Sequence, residues 1–219
     1  MDVHDPIAGV IIPIRSFTNG LTRLAPRLTP EERSVLLRTC ATRVVRATHS
    51  LSTVVVSSAP EVIDWAASLG VKVLPDPGSI NDAAHAGQEY WQAQGVGRII
   101  VVHADLPRIE TLEPLIRYAH LPVATLVPCH RNDGTPVLSI PSDVAFSFAY
   151  GPGSFHAHVD AGRRAGLAVH VIRTPELRFD IDLPADVDAL ESIQKLDLLL
   201  HRRTDCADAK SPTITSAQT

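Results

Sequence analysis

Short runs of β-branched residues recur along this chain, and a stretch with helical spacing follows each of them. Val10-Ile11-Ile12, Thr53-Val54-Val55-Val56, Val71-Lys72-Val73-Leu74 and Ile99-Ile100-Val101-Val102 are near-continuous apolar segments of strand length. Unbroken apolar runs are what strands require when both faces of their sheet are covered. Helical patterns fill the gaps. Thr29-Pro30-Glu31-Glu32 carries a capping box with proline at the first helical position, and Leu36, Cys40 and Val44 then form an inner stripe. Residues 61–69 and 80–94 are the next two helices, and 111–118 a shorter fourth. Strands over 123–127, 136–140 and 167–172 and helices over 153–165 and 185–200 continue the alternation. The pattern predicts right-handed βαβ units, and so an α/β fold with a mostly parallel sheet and helices on both faces.

The chain has 219 residues, 45% hydrophobic and 20% charged, enough to bury one substantial core. No internal repeat or long linker interrupts the pattern, so residues 1–200 form one predicted domain. Residues 201–219 hold almost no large apolar side chains and are rich in Ser, Thr, Asp and Ala, as expected of a disordered tail. Twenty Lys and Arg stand against 24 Asp and Glu, a formal charge of −4, which argues against broad binding to nucleic acid or an anionic membrane. No run approaches the roughly 20 apolar residues that span a bilayer. The run 7–14 is broken by Gly9 and Pro13 and lacks a basic segment before it, which fits a buried first strand and not a signal peptide. Cys40, Cys129 and Cys206 lie far apart and form no CxxC. A disulfide scaffold or zinc ribbon is therefore not expected, and a cytoplasmic location fits.

Ligands of an open parallel sheet gather beyond the carboxyl ends of its strands. That rule selects the loop 15–24 with Arg15 and Arg23, the segment 75–82 leading into a helix, and His103-Ala104-Asp105-Leu106-Pro107. Asp105 follows four apolar strand residues, where a carboxylate must be solvated, paired or bound to metal; the plainer alternative is a cap for the helix near Thr111. If Phe179-Asp180-Ile181-Asp182-Leu183 is extended, its period of two puts Asp180 and Asp182 on one face and the apolar residues on the other. With Asp105, the pair would supply the hard oxygen ligands that magnesium prefers, although Asp182 would also serve as a cap for the helix after Pro184. Gly151-Pro152-Gly153-Ser154 precedes a helical pattern and offers amides and a hydroxyl to an anion, or simply an N-cap in Ser154. Asp133-Gly134-Thr135 is a polar turn before a strand. Histidines 103, 130, 156 and 158 do not suggest zinc; surface or capping roles are expected of them.

Taken in order, these segments resemble the guanylyltransferases of coenzyme F-420 biosynthesis, which act on 2-phospho-L-lactate or phosphoenolpyruvate. The resemblance runs from about residue 9 to residue 190. It rests on Thr22-Arg23-Leu24-Ala25, Leu74-Pro75-Asp76-Pro77-Gly78 with Asn81, and Ala104-Asp105-Leu106-Pro107. It continues through Gly134-Thr135, Gly151-Pro152-Gly153-Ser154-Phe155 with His158, and Asp180-Ile181-Asp182-Leu183-Pro184-Ala185-Asp186. The resemblance implies a nucleotidyltransferase fold of the glycosyltransferase-A-like kind. It implies that the phosphate of a small acid (phosphoenolpyruvate, 2-phospho-L-lactate or 3-phosphoglycerate) attacks the α-phosphorus of GTP and pyrophosphate leaves.

By the same resemblance, Asp105, Asp180 and Asp182 would hold Mg2+, and Thr135, Gly151 and Ser154 would contact the acid. Arg15, Arg23 and Asn81 would bind the nucleotide, with Asp105 and Arg23 the catalytic residues. A phosphate monoester is already anionic near neutral pH, so such a reaction needs no strong base; its difficulty is an anion approaching a polyanion. The chain departs from the family in carrying Leu21 and Arg15 where lysines are usual, and Pro136 after Thr135 where Asn is frequent. A nucleotidyltransferase for another phosphorylated acceptor and a non-catalytic nucleotide- or metabolite-binding descendant are the alternatives.

Overall fold

The computed structural model describes residues 8–48 and 50–191. Its strands are β1 (Gly9–Pro13), β2 (Ser52–Val56), β3 (Lys72–Leu74), β4 (Arg98–Val102), β5 (Val123–Val127), β6 (Val137–Pro141) and β7 (Ala168–Val171). They form one sheet in the order β3-β2-β1-β4-β6-β5-β7. All share one direction except β6, which is antiparallel to both of its neighbours. The expected mostly parallel α/β sheet is present, with each expected strand in place.

The helices are α1 (Pro30–Ala47), α2 (Pro60–Ser68), α3 (Ile80–Ala93), α4 (Glu113–Ile116), α5 (Ser154–Arg164), α6 (Pro175–Arg178) and α7 (Pro184–Glu191). The capping box of α1 forms as expected: Thr29 Oγ1 accepts from the Glu32 amide, and the Glu32 carboxylate accepts from the Thr29 amide. The four-residue α6 escaped the sequence reading because one turn has no periodicity to detect. Of the last expected helix, 185–200, the part beyond residue 191 lies outside the described residues, as do the expected tail 201–219 and Cys206. Among the described residues no helix is long and apolar enough to cross a membrane.

Period-two alternation divides the core between the two faces of the sheet. Val10 and Ile12 of β1 and Ile100 and Val102 of β4 pack with Ala41 and Val44 of α1 and Trp65 of α2. Ile11, Ile99 and Val101 point the other way, onto Ala84 and Trp91 of α3 and Phe155 of α5. The α3–β1 approach is so close that a Cβ at Gly87 would lie 2.6 Å from Ile11 Cγ2, and one at Gly9 would lie 2.3 Å from the Trp91 ring. Trp91 Nε1 donates to the Val10 carbonyl across that contact at 3.1 Å.

Two further features set the edges. Arg98 opens β4 fully buried, and its guanidinium donates to the carbonyls of Ala119, Leu121 and Val123 and to Ser139 Oγ. Burial lowers its pKa to about 10, so it remains a cation that collects the carbonyls of the turn leading into β5. At the other end, Leu24, Leu28, Leu36, Cys40, Ile181, Val187 and Leu190 form a small separate core. It pins a 3-10 turn, Thr22–Leu24, against the segment that carries Asp180 and Asp182.

Candidate active site

Because β6 runs against its neighbours, its first residue pairs with the last of β4, Val137 opposite Val102. The residues before β6 therefore arrive at the carboxyl edge of the parallel strands. His103 N–H fastens them there by donating to the Pro136 carbonyl at 2.9 Å. A cavity of about 380 Å3 opens at this edge, within the range of small-molecule sites. Arg23, Asp105, Thr135, Gly151, Ser154, Asp180 and Asp182 all line it. Arg15 lines an adjoining hollow of about 190 Å3, with Ile80 shared between the two. Its guanidinium donates to the Gly78 carbonyl. Asn81 lines neither; its Oδ1 accepts from the Tyr150 amide at 2.7 Å and so holds the Tyr150–Gly151 backbone in place.

The carboxylates occupy unequal environments. Asp105 is half-buried beyond β4, and its buried Oδ1 has no hydrogen-bond partner among the described residues. Burial, with the charges of Asp180 and Asp182 nearby, pushes its pKa up to about 7. Burial also raises Asp180, against the opposing charges of Arg131 and His130. Asp180 Oδ1 lies 3.2 Å from His130 Nδ1 without the alignment of a hydrogen bond. Asp182 instead faces Arg23, with Nη1 2.7 Å from Oδ2. Among the described residues no three His, Cys, Asp or Glu side chains already surround a single ion-sized point.

Arg131 is the cavity residue that sequence reasoning missed. Its Nη1 lies 2.9 Å from both oxygens of Asp186, while Nη2 is 3.5 Å from Asp180 and 3.8 Å from Asp182. Asp186 also accepts from the amides of Asp182 and Leu183, at 2.9 and 2.8 Å. Burial alone would raise its pKa, but those amides and the guanidinium hold it below the usual carboxylate range. The expected capping role of Asp182 thus belongs to Asp186, which reaches back from within the first turn of α7. The only signal for Arg131 was a cation in a polar turn between two strands at the ligand-binding edge.

The segments that carry Thr135 and Ser154 depart from expectation in two places. Ser154 is not the N-cap of α5: Gly153 is, in a left-handed conformation (φ 72°), and Ser154 is the buried first helical residue. Asp133 secures this turn, its carboxylate accepting from the Gly153 amide and its carbonyl from the Phe155 amide, both at 2.9 Å. His158, expected at the surface or as a cap, is fully buried. Its Nδ1 lies 3.0 Å from Thr135 Oγ1 and its Nε2 accepts from the Ala149 amide at 2.9 Å. Position 158 on α5 faces the sheet, so the residue that supports Thr135 comes from the helix behind the cavity wall.

Known proteins share this arrangement of chain. The family model described as Guanylyl transferase CofC like matches residues 8–197. A phosphoenolpyruvate guanylyltransferase of Sphaerobacter thermophilus is 32% identical over 187 residues, covering 82% of this chain and 90% of that protein. A 2-phospho-L-lactate guanylyltransferase of Methanothermobacter thermautotrophicus is 31% identical over 181 residues, 81% of each chain. In fold alone, the chain is similar to a provisionally named nucleotide-diphospho-sugar transferase from Desulfovibrio desulfuricans, with a TM-score of 0.71 at 14% identity over 90% of this chain and 97% of that one. A nucleotidyl transferase from Methanothermobacter thermautotrophicus gives a TM-score of 0.56 at 15% identity over 90% and 99%. The chain therefore belongs to the CofC-like guanylyl transferase family of nucleotidyltransferases.

Proposed function

We propose that the protein transfers a guanylyl group from GTP to the phosphate of phosphoenolpyruvate, or of a close relative such as 2-phospho-L-lactate or 3-phosphoglycerate. The product would serve coenzyme F-420 biosynthesis. The carrying observation is that one cavity gathers Asp105, Asp180 and Asp182 with Arg23 and Arg131, and also Thr135 and Ser154. A phosphate oxygen of the acid forms a bond to the α-phosphorus while the bond to pyrophosphate breaks. The nucleophile arrives already deprotonated, so no side chain has to remove a proton.

What the protein must supply is placement and positive charge. Arg15 and Arg23 are suited to the triphosphate, since both stand on the loop that follows β1. Arg131, oriented by Asp186, is a third donor to phosphate oxygens. Thr135 and Ser154 would hold the anionic groups of the acid. Magnesium suits the donor set, because Asp105 and Asp180 each keep a buried oxygen without a hydrogen-bond donor among the described residues. When bound, the ion would supply positive charge that neutralises the phosphates. Asp182 pairs with Arg23 through Oδ2, so Oδ1 is the oxygen it would offer the ion.

The test is incubation with GTP, magnesium and each acid in turn, following pyrophosphate release and the mass of the product. Turnover with one acid and a product of guanylylated mass are the expected results; no turnover with any acid overturns the reading. Leu21 favours a second reading, a non-catalytic nucleotide-binding descendant. It packs its apolar side chain partly into both neighbouring cores, at a position where the family resemblance implies lysine. Tight GTP binding without pyrophosphate release in the same assay would select that reading.

A further inference from the structure

We infer that His158 commits the Thr135 hydroxyl to act as a hydrogen-bond donor into the cavity, and so positions it for an acceptor bearing only lone pairs. The inference rests on the proposed placement of the acid at Thr135.

The argument follows the protons. A backbone amide can only donate, so the 2.9 Å contact from Ala149 N–H requires an unprotonated Nε2 on His158. A neutral ring then carries its proton on Nδ1. That nitrogen lies 3.0 Å from Thr135 Oγ1 and donates to it. The hydroxyl, having accepted one hydrogen bond, keeps its own proton for another partner. Among the described residues the remaining oxygen within reach is Ser154 Oγ at 3.4 Å, long for a hydroxyl–oxygen bond. Thr135 lines the cavity, so its proton is available to a ligand there.

The ring is kept neutral. Burial, with a smaller contribution from His103, lowers the pKa of His158 to about 4. Tyr150 packs edge-on against it at 4.6 Å between centroids, and Phe146 lies 6.0 Å away. A protonated ring would have to give up the Ala149 amide, leaving that N–H without an acceptor. Every donor from Ala149 through His158 to Thr135 therefore points the same way, toward the cavity. A deprotonated phosphate or carboxylate completes the chain. A ligand presenting an amide N–H or an ammonium group at that point would leave two donors facing each other.

The decisive measurement needs no variant. In 15N-histidine-labelled wild-type protein, His158 should show the neutral Nδ1–H tautomer; the Nε2–H tautomer or a charged ring at neutral pH overturns the inference. Steady-state kinetics with phosphoenolpyruvate and GTP adds a functional reading. His158→Asn places an amide N–H near the Nδ1 position, whereas His158→Gln extends toward Nε2 and loses the donor to Thr135. His158→Gln and Thr135→Val should each raise the KM for phosphoenolpyruvate by about tenfold or more, with kcat and the KM for GTP within about threefold. The double variant should be no worse than either single one, and His158→Asn should stay within about threefold of wild type. An unchanged acid KM in Thr135→Val removes the placement of the acid itself. A raised KM in Thr135→Val beside an unchanged one in His158→Gln removes only the role of His158.

Discussion

Arg23 and Asp182 are 159 residues apart in the chain, yet their side chains meet at 2.7 Å. The small core of Leu24, Leu36, Ile181 and Val187 brings their two segments together. Arg23 is 65% exposed and Asp182 36%, so the pair contributes at most about 1 kcal/mol to the fold. Arg23→Ala should leave the urea midpoint nearly unchanged. If Arg23 serves the triphosphate, the same variant should slow guanylyl transfer about a hundredfold. Normal turnover in a stable variant would remove Arg23 from the reaction.

Asp105 is the test of the metal. Replacing it with Asn keeps its volume and removes a half-buried charge that has an unpartnered oxygen. Asp105→Asn should fold at least as stably as wild type while binding magnesium, titrated calorimetrically in the presence of nucleotide, at least about tenfold more weakly. Undiminished magnesium affinity would show that the three carboxylates do not share an ion.

His158 ties stability to acidity. Its folded pKa, about 4, lies below the ordinary histidine value of 6.5, so the unfolded chain takes up a proton first as pH falls. Stability contributed by the neutral ring is complete above about pH 6.5 and declines toward pH 4, by at most about 1.4 kcal/mol per pH unit. Chemical denaturation of wild type between pH 7 and 4.5 should show a steeper loss than that of His158→Asn, in which His103 keeps its own lowered pKa. Equal slopes would contradict a neutral buried ring.

Arg98 should matter to the fold alone. Arg98→Met would leave the carbonyls of Ala119, Leu121 and Val123 without their donor, at a cost of about 3 kcal/mol. The loss should appear in thermal melts, with the KM values of the folded enzyme unaltered. A change in either KM would mean that this edge communicates with the cavity.

Local pattern carried most of the scaffold into view. The capping box at Thr29 and the continuous apolar runs at Val10, Val54 and Ile99 each follow from interactions within a few residues. The direction of β6 does not, because a strand of Val137-Leu138-Ser139-Ile140 has the same period whichever way it runs. The position of Asp105 was legible from a strand end. That of Asp180 and Asp182 was legible only in part from alternation, since the segment is not a strand and Leu183, expected on its apolar side, is exposed. The partners of those residues were not. Asp186 looks like any acidic residue in the first turn of a helix until Arg131, 55 residues away, is folded against it. His158 is similar: its burial depends on which face of α5 meets the sheet, and two histidines two residues apart do not say which one turns inward.

The reversed strand has a consequence for how such a protein can change. Loops that leave β1 and β4 carry Arg15, Arg23 and Asp105, whereas the end of the turn that enters β6 and the turn that enters α5 carry Thr135 and Ser154. Under the proposed division of labour, donor handling and acceptor choice are written in stretches of chain that can lengthen, shorten or mutate separately. A descendant can acquire a new acid by editing 133–136 and 149–154 while keeping Arg131 and the rest of its nucleotide half intact.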